Sequence, residues 1–133
     1  MKSPIKYFGG KNGMANKILP FFPDNYEKMT YLEAFCGSAA MLFHKERSDV
    51  EIINDLDNNI YSLFKTLIDP TMFDKFKHMC DLSLYSEQVF KEYQTDLKTE
   101  LDVVERAYKF FYCNRVAYNG IGGFSSSNVV RRK

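Results

Sequence analysis

Short apolar runs bounded by turn residues predict two β-strands in the first half of the chain. One run covers residues 31–35 and ends before Gly37, and the other covers residues 50–53 and ends at Asn54-Asp55. Runs of this length with such boundaries are typical of strands, and the first is predicted to be buried. A helix is predicted between them over residues 39–45, so this half has the order strand, helix, strand.

Helical periodicity dominates the second half. Apolar residues recur at the spacing of one helix face from Asp57 to Ile68, and Asp69-Pro70 closes that helix. Further helices are predicted over residues 72–80, 86–97 and 101–114. Residues 120–127 contain three glycines and three serines and predict a flexible loop.

This order of elements predicts an α/β protein. Two strands alternating with helices are typical of half of a doubly wound, Rossmann-like sheet, and the helices that follow form a separate segment. We therefore divide the chain into a nucleotide-binding part, residues 1–70, and a helical part, residues 71–133.

Composition favours a soluble protein without a metal. Apolar residues make up 45% of the 133 residues and charged residues 26%. No apolar run reaches the roughly 18 residues that span a bilayer, and the N-terminus lacks the pattern of a signal peptide. We expect a cytoplasmic protein with no membrane partner. The three cysteines are widely spaced, and with only two histidines they predict neither a disulfide framework nor a zinc site.

The charge distribution is more informative than the net charge of +1. The stretch from Arg106 to Lys133 contains six basic residues and no acidic one. This stretch is a candidate surface for the phosphates of a nucleic acid. For the last three residues, 131–133, a solvated tail is an equally compatible interpretation.

A glycine turn follows the first predicted strand. A strand that ends in glycine and opens a helix offers free backbone N–H groups to a ligand, and Gly37 permits a tight turn there. Asp55 ends the second strand 18 residues later, which is close to the position where an acid binds a ribose hydroxyl in Rossmann-like sites. The alternative is that Asp55, in the polar cluster 54–58, caps a helix or forms a turn.

A second glycine segment lies near the N-terminus. In Tyr7-Phe8-Gly9-Gly10-Lys11 two glycines let the backbone curl round a ligand, while the lysine reaches a carboxylate or a phosphate. The segment is not a P-loop, because Asn12 follows Lys11 where that motif needs serine or threonine. By itself it is equally compatible with an ordinary loop.

Four segments together resemble the Dam-like (D12 class) adenine-N6 DNA methyltransferases. They match, in the family's order, its aromatic-x-Gly-Gly-Lys motif, its Phe-x-Gly-x-Gly cofactor loop, its Asn-Asp-x-Asn/Asp segment and its Asn-Arg-x-x-Tyr/Phe-Asn-Gly signature. The matching segments are residues 4–11, 33–43, 54–57 and 111–120. The resemblance implies a partial methyltransferase sheet that binds S-adenosylmethionine (SAM).

The resemblance also implies a role for individual residues. Tyr7 and Lys11 would border the SAM pocket, Phe35 and Gly37 would form its floor, and Asp55 would hold the ribose hydroxyls. The last glycine of the family's cofactor loop is Ala39 here. We expect its methyl group to crowd either the cofactor or the packing of helix on strand.

In the family, the helical segment belongs to the part that recognises double-stranded DNA. Arg115, Tyr118 and Asn119 would then lie near DNA, with Tyr118 stacking on bases around a flipped-out adenine. The alternative is that Asn114 and Arg115 cap the preceding helix and Tyr118 packs beneath it.

The family's catalytic tetrapeptide, Asp/Asn-Pro-Pro-Tyr/Phe, does not occur in the sequence. Asp69-Pro70-Thr71-Met72 lacks the second proline and the aromatic, and is better explained as a helix boundary. We therefore predict an adenine-specific DNA methyltransferase of a restriction-modification system that has no catalytic residue in this chain and is inactive without its missing C-terminal half. The alternative is a non-catalytic remnant that binds cofactor or DNA as a partner module.

Overall fold

The computed structural model describes residues 2–7 and 9–125, which form two compact units, Met1–Leu56 and Asp57–Lys133. The first contains both strands, and the described part of the second is mainly helical. The helix that begins at Asn58 therefore groups with the helical unit, although the division by function was predicted at residue 70. The assignment of residues 1–70 to cofactor and of 71–133 to DNA stays a prediction.

The first unit has the predicted order of elements. Helix α1 covers Ala15–Ile18, strand β1 Thr30–Glu33, helix α2 Ala40–His44 and strand β2 Val50–Ile53. The strands pair in parallel, with Thr30 opposite Val50 and Glu33 opposite Ile53. Short 3-10 helices over Lys11–Gly13, Leu19–Phe21 and Tyr26–Lys28 fill the connections. The mixed α/β class and both strands are confirmed.

The prediction that the first strand is buried is wrong, and the second strand is exposed as well. Leu32 in β1 is 60% exposed and Ile52 in β2 is 47% exposed. In the described part of the chain the sheet has only these two strands. Apolar residues in a strand indicate that its side chains pack against another layer of the protein. Among the described residues, no such layer covers the face that contains Leu32 and Ile52.

A buried lysine joins the end of α2 to β2. The side chain of Lys45 is fully buried, and its Nζ donates to Glu51 Oε1 at 2.5 Å and to Ser48 Oγ at 2.9 Å. The same ammonium lies 4.4 Å from the centre of the Tyr31 ring. The hydrogen bond from Lys45 lowers the pKa of the Glu51 carboxyl. A buried charge is tolerated only when it is paired in this way.

The second unit contains, up to residue 125, four α-helices and a short 3-10 helix over Tyr118–Gly120. The α-helices are α3 (Asn58–Ile68), α4 (Pro70–Asp81), α5 (Glu87–Asp96) and α6 (Val103–Val116). Each begins at a polar residue whose side chain accepts a backbone N–H of the first turn, as Asp69 does from Met72 at 2.9 Å. Asp69-Pro70 is thus a helix start, as predicted, with proline where its missing N–H costs nothing.

Helix α6 is the centre of this unit. It packs against α3, α4 and α5, and its residues Tyr112, Cys113 and Val116 share a buried cluster with Phe90 of α5. The hydroxyl of Tyr112 donates to the carbonyl of Leu84 at 2.7 Å, so the buried tyrosine keeps a hydrogen-bond partner.

The turn after α6, where a flexible loop was predicted over residues 120–127, is closed by hydrogen bonds. The Tyr118 N–H donates to the Gly123 carbonyl and the Ser125 N–H to the Val116 carbonyl, both at 2.9 Å. Phe124 packs against Phe90, with ring centres 6.0 Å apart. Residues 126 and 127 lie outside the described residues.

Candidate functional site

The glycine turn predicted after β1 is present, and Asp55 holds it. Because β1 and β2 are parallel, their carboxyl ends meet at one edge. There the Gly37 N–H donates to Asp55 Oδ2 at 2.8 Å. The backbone of Gly37 has φ +49° and that of Ala39 φ +50°, so the turn passes twice through the left-handed region.

Asp55 does not cap the helix that follows. That cap is Asp57, whose carboxylate accepts the Asn59 N–H at 2.8 Å. The helix-cap alternative for Asp55 is therefore wrong. A carboxylate bonded to the glycine turn is placed where a ligand on the turn would meet it.

Tyr7 packs directly on the glycine turn. A Cβ atom on Gly37 would lie only 3.0 Å from Tyr7 Cε1, which is tighter than most Cβ contacts in proteins. The Gly10 N–H donates to the Tyr7 carbonyl at 2.9 Å, and a Cβ on Gly10 would meet that same oxygen at 2.8 Å. Gly10 and Gly37 thus both lie so close to Tyr7 that a side chain at either position would crowd it.

A small cavity of about 80 Å³ lies between the two glycine segments. Four of the five residues predicted to bind cofactor line it, namely Tyr7, Lys11, Phe35 and Gly37. Asp55 is not among the lining residues and reaches the cavity only through its bond to Gly37. The structure thus brings the five residues into one region, and their role in binding stays a prediction.

Phe35 does not form the floor of this cavity. Its side chain is 84% exposed. Buried residues that follow it, including Cys36, Ser38 and Met41, line the cavity together with it. The strand ends two residues before Phe35, and the tightly turning backbone directs this side chain into solvent.

Glu33, the last residue of β1, is the residue that sequence reasoning missed. It lines the cavity, and its Oε2 is buried without a hydrogen-bond partner among the described residues. Burial raises the pKa of the Glu33 carboxyl, against the opposing effects of Tyr31, Lys11 and Lys45. The sequence signal was a glutamate inside an apolar strand, four residues before the turn glycine.

The Ala39 methyl group does not line the cavity. Ala39 is fully buried, so the methyl packs inside the unit. Of the two expectations for this position, crowding of the cavity is wrong. The cost of having alanine here is its left-handed backbone, which glycine would adopt without strain.

The three residues predicted to approach DNA lie at the end of α6. Arg115, Tyr118 and Asn119 are all exposed, and Tyr118 is 64% exposed. The alternative that Tyr118 packs beneath the helix is therefore wrong. Asn114 does serve the helix end, because its buried amide donates to the Gly120 carbonyl at 3.3 Å.

The basic stretch that begins at Arg106 is not a continuous phosphate-facing surface. Arg106 Nη1 donates to Asn59 Oδ1 at 2.9 Å. Lys109 Nζ binds Glu100 at 2.6 Å and Asp96 at 3.0 Å. Both cations are neutralised or held by acceptors earlier in the chain, so the expectation is wrong for them. Residues 131–133 lie outside the described residues.

Two further predictions concern metals and membranes. Over residues 2–7 and 9–125, no cluster of His, Cys, Asp and Glu side chains has the geometry to hold a metal ion. In the same part of the chain, no helix is long and apolar enough to cross a bilayer.

Comparison with known proteins identifies the family. The family model for the D12 class N6 adenine-specific DNA methyltransferases matches residues 7–130, which is almost the whole chain and includes both glycine segments. The chain belongs to the D12 class. Methyltransferases of this family generally use SAM and act on DNA.

Curated relatives of this D12 chain are modification methylases. It is 26% identical to modification methylase StsI of Streptococcus sanguinis, over 96% of this chain and 21% of the relative. It is 26% identical to type II methyltransferase M.FokI of Planomicrobium okeanokoites, over 90% of this chain and 20% of the relative. It is also 26% identical to type II methyltransferase M1.LlaDCHI of Lactococcus lactis subsp. cremoris, over 92% of this chain and 44% of the relative. The chain thus spans from a fifth to less than half of these relatives.

Proposed function

We propose that this chain binds SAM at the glycine turn and supplies the cofactor-binding part of an adenine-N6 DNA methyltransferase. The observation that carries the proposal is the 2.8 Å hydrogen bond between Gly37 and Asp55 beside a cavity that contains Lys11 and Glu33. The parallel strands deliver the turn and the acid to one edge of the sheet, which is where α/β proteins bind nucleotides.

The charges of the cavity suit the amino-acid end of SAM. That end carries a carboxylate and an ammonium group. Lys11 offers an ammonium and Glu33 a carboxylate oxygen that no described residue satisfies. We propose that Lys11 binds the SAM carboxylate and Glu33 the SAM ammonium, since binding would then give the buried oxygen of Glu33 the partner it lacks.

The other end of SAM fits the residues that follow the two strands. Asp55 would accept hydrogen bonds from the ribose hydroxyls. Phe35 and Leu56 are 84% and 85% exposed directly beyond β1 and β2, so they offer apolar surface for the adenine ring. SAM is larger than the cavity itself and would extend from it along this edge.

The chemical step requires groups that this chain lacks. The adenine N6 amine must give up its hydrogens to acceptors and stack on an aromatic ring, and the Asp-Pro-Pro-Tyr-like tetrapeptide that provides them is absent from the sequence. We propose that methyl transfer needs a further polypeptide part that carries this motif.

Replacing Asp55 tests the cofactor proposal. Asp55→Ala removes both the acceptor for the ribose and the hydrogen bond to Gly37, so SAM affinity should fall by about tenfold or more, since such charged hydrogen bonds are worth roughly 1.5–3 kcal/mol. Asp55→Asn keeps an oxygen for the Gly37 N–H and should fall between wild type and Asp55→Ala. Calorimetric titration measures all three proteins. Equal SAM affinities would rule out the site.

A pair of cation substitutions tests the DNA proposal. Each phosphate neutralised adds about 0.9 to the magnitude of the log–log salt slope for duplex binding. Arg115→Ala should reduce this magnitude by about 0.9. Lys109→Ala should leave the slope unchanged and lower stability by about 1–3 kcal/mol, because it leaves two carboxylates without their partner. The reverse pattern would contradict the assignment of Arg115 to DNA.

A further inference from the structure

Tyr31, the second residue of β1, is fixed by the residues packed on its ring. Phe22 stacks on this ring with the ring centres 6.0 Å apart, and the Lys45 ammonium lies 4.4 Å from its centre. Lys45 is itself anchored to Glu51 and Ser48. A ring that is held between an aromatic neighbour and a buried cation has little freedom to turn. The packing of the first unit therefore sets the direction of the Tyr31 hydroxyl.

The hydroxyl of Tyr31 meets the carboxyl group of Glu33. The two residues are two positions apart in β1, so their side chains leave the strand on the same face. Burial raises the pKa of Glu33, and a hydrogen bond from Tyr31 is the largest of the effects that lower it. Burial and then the charge of Glu33 raise the pKa of Tyr31. The hydroxyl is therefore the donor and the charged carboxylate the acceptor.

This contact leaves part of the Glu33 carboxylate available to a ligand. Glu33 lines the cavity, and its Oε2 is buried with no hydrogen-bond partner among the described residues. A carboxylate that is oriented by one donor and unsatisfied at a buried oxygen is arranged to receive a second donor, and a cationic donor binds it most strongly.

We propose that Tyr31 is a positioning residue of the cofactor site, whose hydroxyl orients the Glu33 carboxylate and favours its charged form, so that Oε2 receives the ammonium group of SAM. Tyr31 does not line the cavity, so it acts through Glu33 and not by touching the cofactor. The inference rests on the proposed function, because that function pairs Glu33 with the SAM ammonium.

Other groups also act on the charge of Glu33. Lys11 from the N-terminal segment, Lys45 from the end of α2 and the Met41 N–H from the first turn of α2 all lower its pKa. Cys36 in the glycine turn carries no charge at neutral pH, because burial raises the pKa of its thiol to about 11. Substitution of the tyrosine leaves all four groups in place, so a change in the Glu33 titration reports the hydroxyl.

The alternative is that Tyr31 serves only to pack the unit. Its ring would then matter and its hydroxyl would not. Tyr31→Phe separates the two roles, because it removes the oxygen and keeps the ring on which Phe22 and Lys45 pack.

The experiment compares wild type with Tyr31→Phe and Tyr26→Phe. Tyr26 is a matched control, because its hydroxyl is also hydrogen-bonded within the first unit, where it accepts the Glu46 N–H at 3.0 Å. The pKa of Glu33 is measured in the free protein by NMR titration of the side-chain carboxyl carbon, with Glu33→Gln to assign the signal. Calorimetric titration with SAM from pH 5 to 8 measures affinity.

We expect Tyr31→Phe to raise the pKa of Glu33 by about one pH unit. SAM affinity should then fall by about tenfold below the midpoint of this titration and by less above it, where Glu33 is charged in both proteins. Tyr26→Phe should keep the wild-type values. An unchanged pKa of Glu33 in Tyr31→Phe, or a loss of affinity that is equal at every pH, would overturn the positioning role.

The two proposals fail in distinguishable ways, since the NMR titration needs no cofactor. If Asp55→Ala weakened SAM binding while Tyr31→Phe bound SAM as Tyr26→Phe does, the site would stand and the positioning role would fall. If wild type bound no SAM, the proposed function would fail, and the role of Tyr31 in cofactor binding would fail with it.

Discussion

Replacing Gly37 with alanine should abolish measurable SAM binding and destabilise the first unit. The new Cβ would lie 3.0 Å from the Tyr7 ring, so the ring, which lines the cavity, must shift by a few tenths of an ångström. At φ +49° the alanine also pays about 1–2 kcal/mol for a left-handed backbone. Urea unfolding and calorimetric titration with SAM measure the two effects.

Gly13→Ala is the matched control for this substitution. Gly13 belongs to the same unit, and a Cβ there would meet nothing within 4 Å. We expect this variant to keep the stability and SAM affinity of the wild type. If Gly37→Ala bound SAM as well as Gly13→Ala does, the glycine turn would not be the cofactor site.

Replacing Glu33 with glutamine should change stability and SAM affinity in opposite directions. Burial raises the pKa of Glu33, which means that folding disfavours its charged form. The stability linked to this group is present at low pH and lost as the pH rises through the raised pKa. At neutral pH the neutral glutamine should therefore make the free protein more stable.

The same change should weaken SAM binding by about tenfold or more at neutral pH, because a charged hydrogen bond to the SAM ammonium is worth roughly 1.5–3 kcal/mol. Wild-type affinity should fall as the pH is lowered through the raised pKa of Glu33, and the variant should lose that part of the pH dependence. Urea unfolding and SAM titration from pH 5 to 8 measure both effects. Glu46→Gln, at an exposed acid of the same unit, removes an equal charge and should show neither. Lower stability together with unchanged SAM affinity would contradict the role of Glu33.

The elements of the fold were predictable because their signals are local. The run at residues 50–53 gave the bounds of β2, and Asp69-Pro70 marked the start of a helix through its own cap and proline. Helical spacing located α3 to within one residue of its start. Each of these depends on residues close together in the chain, whose hydrogen bonds and packing the sequence pattern directly reflects.

Burial and charge pairing were less predictable because they depend on distant partners. The apolar residues of β1 indicated a buried strand, but no pattern of neighbouring residues in the sequence shows that one face of the strand is exposed. The basic stretch likewise contains no acidic residue of its own, but Lys109 forms ion pairs with Asp96 and Glu100, which precede that stretch in the sequence.

The candidate site was predictable in part. The meeting of Asp55 with Gly37 followed from the parallel order of the strands. Tyr7 and Lys11 were joined to that turn only by the resemblance to the family, because no spacing rule connects the N-terminal segment to β1. Phe35 lines the cavity but is exposed and does not form its floor, since the direction of a side chain in a turn depends on backbone angles that the sequence does not specify.

Lys45 has a consequence for chemical labelling of this protein. Its Nζ is enclosed by Glu51, Ser48 and the Tyr31 ring, so an amine-reactive reagent reaches it only when α2 separates from β2. The reaction of this one lysine therefore reports the opening of the first unit, while the exposed lysines of the same chain record the reagent dose.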